Sequence, residues 1–359
     1  MKVVNTIMDS FFVDYCVENH WSIPVKWFVI GPTPTGKRTD VEYCRARAAQ
    51  EPNSPLYQSI MDSNVWVIHR YYKEFATTIL EARANGIKVY IQTWGPDLLQ
   101  FDTSHRELHD RATLRMAHQH GLQPTSNIIQ KLYRKYYWNR QNAIHRKAFS
   151  LCSGIMFVTP VESVPFNAQI NHMGEYRFVV NDERPEKGPL QKRKRLMLGH
   201  CAWTTMNHFD AIDQLASISH TLEEVLIPMT YGANNPYKDA IISHAKAKLN
   251  CPIVTLRDML PRAEFESILS NYGTFMHHAN RQQAIVNVMN FIYREGEIIV
   301  KPNQPVARFL EYLKIPHHTS TKSFAENPLS SDQKSLSRAK FHEFTSTRNK
   351  QAEERILNT

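Results

Sequence analysis

No stretch of the 359-residue chain approaches the roughly 18 consecutive apolar residues that a membrane-spanning helix needs. The N-terminus, Met1 to Ser10, holds one lysine and no sustained apolar core, which argues against a secretory leader. Cysteine is scarce too. Cys16, Cys44, Cys152, Cys201 and Cys251 are odd in number, scattered and never spaced C-x-x-C. Neither a disulfide framework nor a structural zinc site is therefore expected, and a cytoplasmic, reducing setting is. No D-x-D-like pair stands where it could hold a metal, so no metal and no other cofactor is expected.

What is present points to a folded, basic protein. Hydrophobic residues make up 42% and charged residues 21%, as in soluble globular chains. The length favours two domains over one oversized core. A formal charge of +9 calls for phosphate-bearing partners: nucleic acid, anionic lipid or a diphosphate substrate.

Short β-branched or aromatic runs alternate with helical patterns. Val25 to Ile30, Val65 to His69, Lys88 to Thr93 and Gly154 to Thr159 read as strands. Tyr71 to Ala84 and about Asn127 to Leu151 read as helices. The stretch Asn181 to Arg195 (NDERPEKGPLQKRKR) is charged, holds two prolines and lacks apolar periodicity, as a linker does. The alternation then restarts. Strands are expected at Arg195 to Gly199, Glu224 to Met229, Pro252 to Leu256, Gly273 to His277 and Glu297 to Lys301. Helices begin near His208, Asn235, Arg262 and Gln283. The reading is α/β with two parallel sheets: residues 1–180, a linker at 181–195, a second domain at 196–318 and a polar tail at 319–359.

Several motifs compete. Gly31-Pro-Thr-Pro-Thr-Gly36-Lys37-Arg38 nearly spells a phosphate-binding P-loop, but Arg38 replaces the magnesium-binding hydroxyl. Pro32 and Pro34 also lack the N–H groups such a loop uses, so a surface turn is the better reading. His105 and His109 lie one helical turn apart without a third ligand, and His277-His278 and His317-His318 are no better as metal sites. Residues 131–147 (KLYRKYYWNRQNAIHRK) interleave cations with aromatic rings, a composition suited to an anionic membrane interface, to nucleic acid or to ordinary core packing. In Trp94-Gly95-Pro96-Asp97-Leu98 a strand runs into a turn, where Asp97 is either a catalytic carboxylate or a helix cap.

Three segments of the second half share one topological position, directly after a strand. They are Gly199 to Asn207 (GHCAWTTMN), Pro228 to Asn235 (PMTYGANN) and Ala279 to Gln283 (ANRQQ). Amide donors at helix N-termini plus one arginine make a diphosphate clamp without a P-loop.

At these segments the chain resembles the bacterial transferases that move 4-acetamido-4,6-dideoxygalactose from a thymidine-diphosphate carrier onto lipid-linked enterobacterial common antigen precursors (TDP-N-acetylfucosamine:lipid II N-acetylfucosaminyltransferase, 4-alpha-L-fucosyltransferase, glycosyltransferase family 56). The resembling residues are Trp94-Gly95-Pro96-Asp97-Leu98, Tyr133 to Lys147, Gly199, Asn207-His208, Pro228-Met229, Tyr231, Asn234-Asn235, Arg281-Gln282-Gln283, Asn303 and Phe309. Order and approximate spacing match from the first strand to about residue 315. The chain departs from the family pattern where Cys201-Ala202-Trp203-Thr204 replace a glycine-rich loop and where Ala284 replaces a glycine after Arg-Gln-Gln.

The resemblance implies a GT-B-like glycosyltransferase: two Rossmann-like domains facing a cleft, acceptor on the first and nucleotide sugar on the second. It implies a metal-independent enzyme, cytoplasmic and peripheral on the inner face of the cell membrane, with a lipid-linked saccharide acceptor and no nucleic-acid partner. Gly199, Asn207, Tyr231, Asn234, Asn235, Arg281, Gln282, Gln283 and Asn303 are expected to line the donor, with Arg281 on the diphosphate. Asp97, then His105, is the expected base for the acceptor hydroxyl. The competing expectations are a basic nucleic-acid-binding protein and a P-loop-like NTPase.

Overall fold

The computed structural model describes residues 1–8, 13, 17, 23–31, 38–93, 108–122, 143–157, 172–175 and 192–358. The P-loop-like residues 32–37, Asp97, His105, residues 131–142 of the basic-aromatic segment and residues 181–191 of the linker lie outside them. The chain divides into two units: residues 1–103, 127–182 and 345–359, and residues 104–126 and 183–344.

The first unit holds strands β1 (Val3–Met8), β2 (Val25–Ile30), β3 (Glu42–Cys44), β4 (Val65–His69), β5 (Lys88–Gln92), β6 (Gly154–Phe157) and β7 (His172–Glu175), with helices α1 (Pro55–Met61) and α2 (Phe75–Ala84). They form one parallel sheet in the order β3-β2-β1-β4-β5-β6-β7. Helices cover a parallel sheet on both faces, so its central strands read as unbroken apolar runs. Val65-Trp66-Val67-Ile68 is such a run, buried throughout. Strand β1 escapes the sequence reading because Asn5 and Thr6 interrupt its apolar run. Both are buried, and both are partnered across the sheet. Thr6 Oγ1 accepts from Trp66 Nε1 at 3.2 Å, and Asn5 Oδ1 lies 3.2 Å from His69 Nε2. Arg38, where the P-loop motif would need a hydroxyl, grips Asp40 through Nε and Nη2 at 2.9 and 2.7 Å.

The second unit takes α3 (Arg111–Gln119) from the first half of the chain. It continues with β8 (Arg195–Leu198), α4 (His208–Leu215), β9 (Glu224–Pro228), α5 (Asn235–Lys248), β10 (Ile253–Leu256), α6 (Arg262–Leu269), β11 (Thr274–His277), α7 (Ile285–Tyr293), β12 (Glu297–Val300), α8 (Pro305–Tyr312) and α9 (Thr321–Glu326). Helix α10 (Ser331–Asn358) begins here, and its residues from 345 group with the first unit. The sheet is parallel, in the order β10-β9-β8-β11-β12. Its core packs Leu196, Leu198, Val225, Ile227 and Met276 under Phe209, Ile212, Tyr237 and Ile241. Each such aliphatic or aromatic side chain contributes roughly 1.5–3 kcal/mol by leaving water.

The units differ from a division at 181–195 in two places. Residues 104–126 join the second unit because α3 buries Ala117 in its core and is capped by Asp210. Residues 319–344 of the polar tail group with the second unit. Phe324 and Phe341 are buried, and the guanidinium of Arg193 lies 4.0 Å over the Phe324 ring. Lys334 and Arg193 both reach the fully buried Glu297, at 2.9 and 3.0 Å. Two cations of the QKRKR cluster are thus taken up internally, Arg193 by Glu297 and Arg195 by Glu224, while Lys192 and Lys194 remain exposed.

Candidate functional site

In open α/β sheets, ligands bind beyond the carboxyl ends of the strands where the strand order reverses. In the second unit that reversal lies between β8 and β11, with β9 on the other side of β8. The loops after β9, β8 and β11 therefore stand side by side, and these are the three segments singled out from sequence.

Direct hydrogen bonds join them. Gly199 N donates to Met276 O at 3.0 Å, and Ala202 N donates to Tyr231 O at 2.8 Å. Arg281 Nε donates to Thr205 Oγ1 at 3.2 Å, and that hydroxyl donates onward to Gln283 Oε1 at 3.1 Å. Gln283 Nε2 returns to Thr205 O at 3.2 Å and Met206 Sδ at 2.7 Å. The Gln283 carbonyl in turn lies 3.0 Å from His277 Nε2, and because a carbonyl only accepts, that ring nitrogen carries the proton.

The close approach of the loops after β8 and β9 requires glycine. At Gly232, with φ +114°, a Cβ would stand 2.6 Å from Trp203 N. Gly199, at φ +65°, is likewise left-handed, and its missing side chain lies against Met206 and His208.

Charge in the three loops has one sign. Residues 199–207, 229–235 and 278–284 contain no Asp or Glu, and Arg281 is their sole Arg or Lys. His200, His208 and His277, in or beside these loops, do not add to this charge at neutral pH. Burial lowers His277 to about 3, and the nearby His278 and Arg281 act in the same direction. Burial also lowers His208 to about 4 and His200 to about 3, the latter helped by His277 and Arg281. Burial pushes the Cys201 thiol up to about 11, so it stays protonated. Tyr231, 38% exposed, sets its ring edge-on to His200 at 6.0 Å. The three loops thus carry one Arg or Lys, and Tyr231 and Trp203 give them an exposed aromatic rim.

The expected donor residues fare differently. Tyr231, Arg281, Gln283 and Gly199 come together as described, and Gln282 is buried beside them. Asn207 is fully buried, its amide engaged by the protein. Oδ1 accepts from Asp110 N at 2.8 Å, and Nδ2 donates to Leu108 O and His278 O. Asn234 Oδ1 caps α5 by accepting from Tyr237 N at 3.1 Å, while Asn235 is exposed in the first turn. Asn303 is exposed after the edge strand β12, and no hydrogen bond among the described residues ties it to the three loops. His109, read as half of a helix-face pair, places Nε2 2.8 Å from Thr204 Oγ1. Thr205 was not singled out from sequence, since a threonine in a polar loop carries no signal of its own.

No protein-family model matches the chain, and no curated protein matches it. Solved structures do. The chain has the GT-B fold, two Rossmann-like α/β domains, the architecture of a class of glycosyltransferases. One structure of this kind is a UDP-forming α,α-trehalose-phosphate synthase from Burkholderia xenovorans in complex with glucose-6-phosphate, similar over 100% of both chains at TM-score 0.59 and 10% identity. Another is described as trehalose-6-phosphate from E. coli bound with UDP-2-fluoro glucose, at TM-score 0.56 and 10% identity over 100% of this chain and 98% of that one. The N-terminal domain of Candida albicans trehalose-6-phosphate phosphatase reaches TM-score 0.59 at 8% identity, over 99% of this chain and 98% of that one.

Proposed function

We propose that the protein is a glycosyltransferase that binds a nucleoside-diphosphate sugar at the three loops of its second unit. The observation that carries this reading is the placement of Arg281, held to Thr205 at the sheet's switch point among loops that contain no Asp or Glu of their own. Negative charge grows on the departing diphosphate during glycosyl transfer. A guanidinium already fixed there stabilises the transition state more than the ground state. Neutral His277 and Gln283 brace the loops around Arg281 through their own hydrogen bonds without adding a second charge. The fold shared with structures described as UDP-forming or bound to a UDP sugar supports the nucleotide-sugar class.

The finer reading follows the family resemblance. The donor is of the TDP type, carrying 4-acetamido-4,6-dideoxygalactose, and the acceptor is a lipid-linked or surface-polysaccharide saccharide bound by the first unit. Asp97, with His105 second, takes the proton from the acceptor hydroxyl. Attachment to the inner face of the membrane runs through the basic-aromatic segment 131–147, so rising salt releases it. Among the described residues no helix is long and apolar enough to cross a membrane.

The test is a thermal-shift series with TDP, UDP, GDP and CMP on the wild type and on Arg281→Ala. One diphosphate should raise the melting temperature of the wild type, and the variant should lose that shift. Equal shifts in both proteins would remove Arg281 from the site.

A further inference from the structure

Asp110 precedes helix α3, at the position where an aspartate ordinarily accepts a hydrogen bond from the first turn of its own helix. It makes no such cap. The first-turn amides are served from elsewhere. Asp210 of α4 takes Ala112 N on Oδ1 at 3.0 Å and Thr113 N on Oδ2 at 2.8 Å.

The carboxylate of Asp110 is thereby free to turn toward the carboxyl edge of the sheet. Its Oδ1 accepts from Lys301 Nζ at 2.5 Å and from Asn280 Nδ2 at 3.0 Å. Its Oδ2 lies 3.2 Å from His278 Nε2. Lys301 Nζ also donates to Asn280 Oδ1 at 2.9 Å, closing a ring of three side chains. Burial alone would raise the carboxyl, but the nearby His278 ring and donation by Lys301 and Asn280 outweigh it and hold Asp110 well below the usual carboxylate range. Its carboxyl is therefore ionised at neutral pH.

His278 and Asn280 belong to the loop after β11, and Asn280 is the residue before Arg281. The same short segment reaches the loop after β8, with His109 Nε2 against Thr204 Oγ1 at 2.8 Å and Asp110 N donating to Asn207 Oδ1 at 2.8 Å. Residues 109 and 110 therefore grip both loops that carry the Arg281–Thr205 contact.

We propose that Asp110 is a positioning residue of the donor site, fixing the 278–283 loop through Asn280, His278 and Lys301 so that the Arg281 guanidinium is held ready for the donor's diphosphate. This rests on the nucleoside-diphosphate reading of the site. It adds that the loop's geometry is set by a carboxylate that does not itself touch the donor, and that Lys301 is engaged as the partner of that carboxylate.

The experiment compares the affinity of the full-length protein for TDP and UDP with that for thymidine and uridine, which lack the phosphates. In Asp110→Asn the affinity for the tighter diphosphate should fall at least tenfold, with the matching nucleoside held within about twofold, because only the phosphate contacts depend on where Arg281 stands. The substitution also strands Lys301 without its anion and can impair folding by itself. The double variant Asp110→Asn/Lys301→Met removes the stranded cation, and should fold with wild-type stability while remaining defective for the diphosphate. Wild-type diphosphate affinity in either variant, or an equal loss for diphosphate and nucleoside, would overturn the proposal. A wild type that binds neither diphosphate would overturn the donor-site reading itself, a separate outcome.

Discussion

Arg281 Nε and Thr205 Oγ1 meet at 3.2 Å, joining the loops after β11 and β8 across the reversal in strand order of the second sheet. This contact fixes the direction of the guanidinium, whose charge is the sole Arg or Lys charge in the three loops. Removing the charge and removing its anchor should have separable effects. Arg281→Ala should cut turnover by ~10²–10³, the usual loss for a preorganised transition-state donor. Thr205→Val keeps the charge and loses only the tether and its bond to Gln283, so a drop of about tenfold is expected. Steady-state kinetics on the two variants make the comparison, and equal defects would mean that the tether is not what holds Arg281.

Asn234 should behave as a cap. Its Oδ1 accepts from Tyr237 N, and Pro236 follows in the first turn. Asn234→Ala should lower unfolding stability by about 1 kcal/mol, read from urea denaturation. Donor affinity should change by no more than about twofold. A large loss of affinity without a loss of stability would make this amide a ligand instead.

Ala284 adopts φ +56° at the start of α7. A left-handed L-residue costs roughly 1–2 kcal/mol, and glycine avoids that cost while adding about 0.4–1 kcal/mol of unfolded-chain entropy. Ala284→Gly should therefore stabilise the protein by up to about 1 kcal/mol in the same denaturation assay.

Acid should weaken the protein before its carboxylates titrate. His277 and His208 are buried, with folded-state values lowered by burial to about 3 and about 4. Below the unfolded value near 6.5 the unfolded chain takes up protons that the folded chain refuses, so stability is full above that pH and declines as pH falls toward 4. The slope is at most ~1.4 kcal/mol per pH unit for each histidine. Glu297 acts in the same direction, in a lower pH range. Burial would raise it, yet donation from His318, Lys334 and Arg193 brings it to about 2, so its contribution is kept above the unfolded carboxylate value and lost only at lower pH. Denaturation midpoints should drop between pH 7 and 5 in the wild type and less steeply in His208→Leu. A flat wild-type profile would contradict the burial of these rings.

Much of this fold could be read from pattern. Parallel strands buried on both faces, such as Val65-Trp66-Val67-Ile68, announce themselves as short apolar runs between helical segments. So do the second-unit strands and the helices starting at His208 and Asn235. Strand β1 stayed hidden because Asn5 and Thr6 find partners only across the sheet, in His69 and Trp66. The membership of α3 in the second unit was also out of reach, since Asp210 lies nearly a hundred residues from the amides it caps. The three-loop convergence was legible from topology: each segment follows a parallel strand, and such ends gather on one sheet edge. What could not be read was which polar groups the protein keeps for itself. Asn207 and Asn234 look like donor ligands in sequence, yet the first is buried against Leu108, Asp110 and His278 and the second holds a helix end. Asp110, which no sequence motif singles out, bonds Asn280 of the loop beside Arg281.

The central claim is that a nucleoside diphosphate sits on the edge formed by the loops after β9, β8 and β11. Amide hydrogen exchange, followed by mass spectrometry with and without saturating TDP or UDP, addresses it most directly. Exchange should slow in peptides covering residues 199–207, 229–235 and 278–284 together. Protection confined to the first unit, or its absence from all three segments with ligand bound, would contradict it.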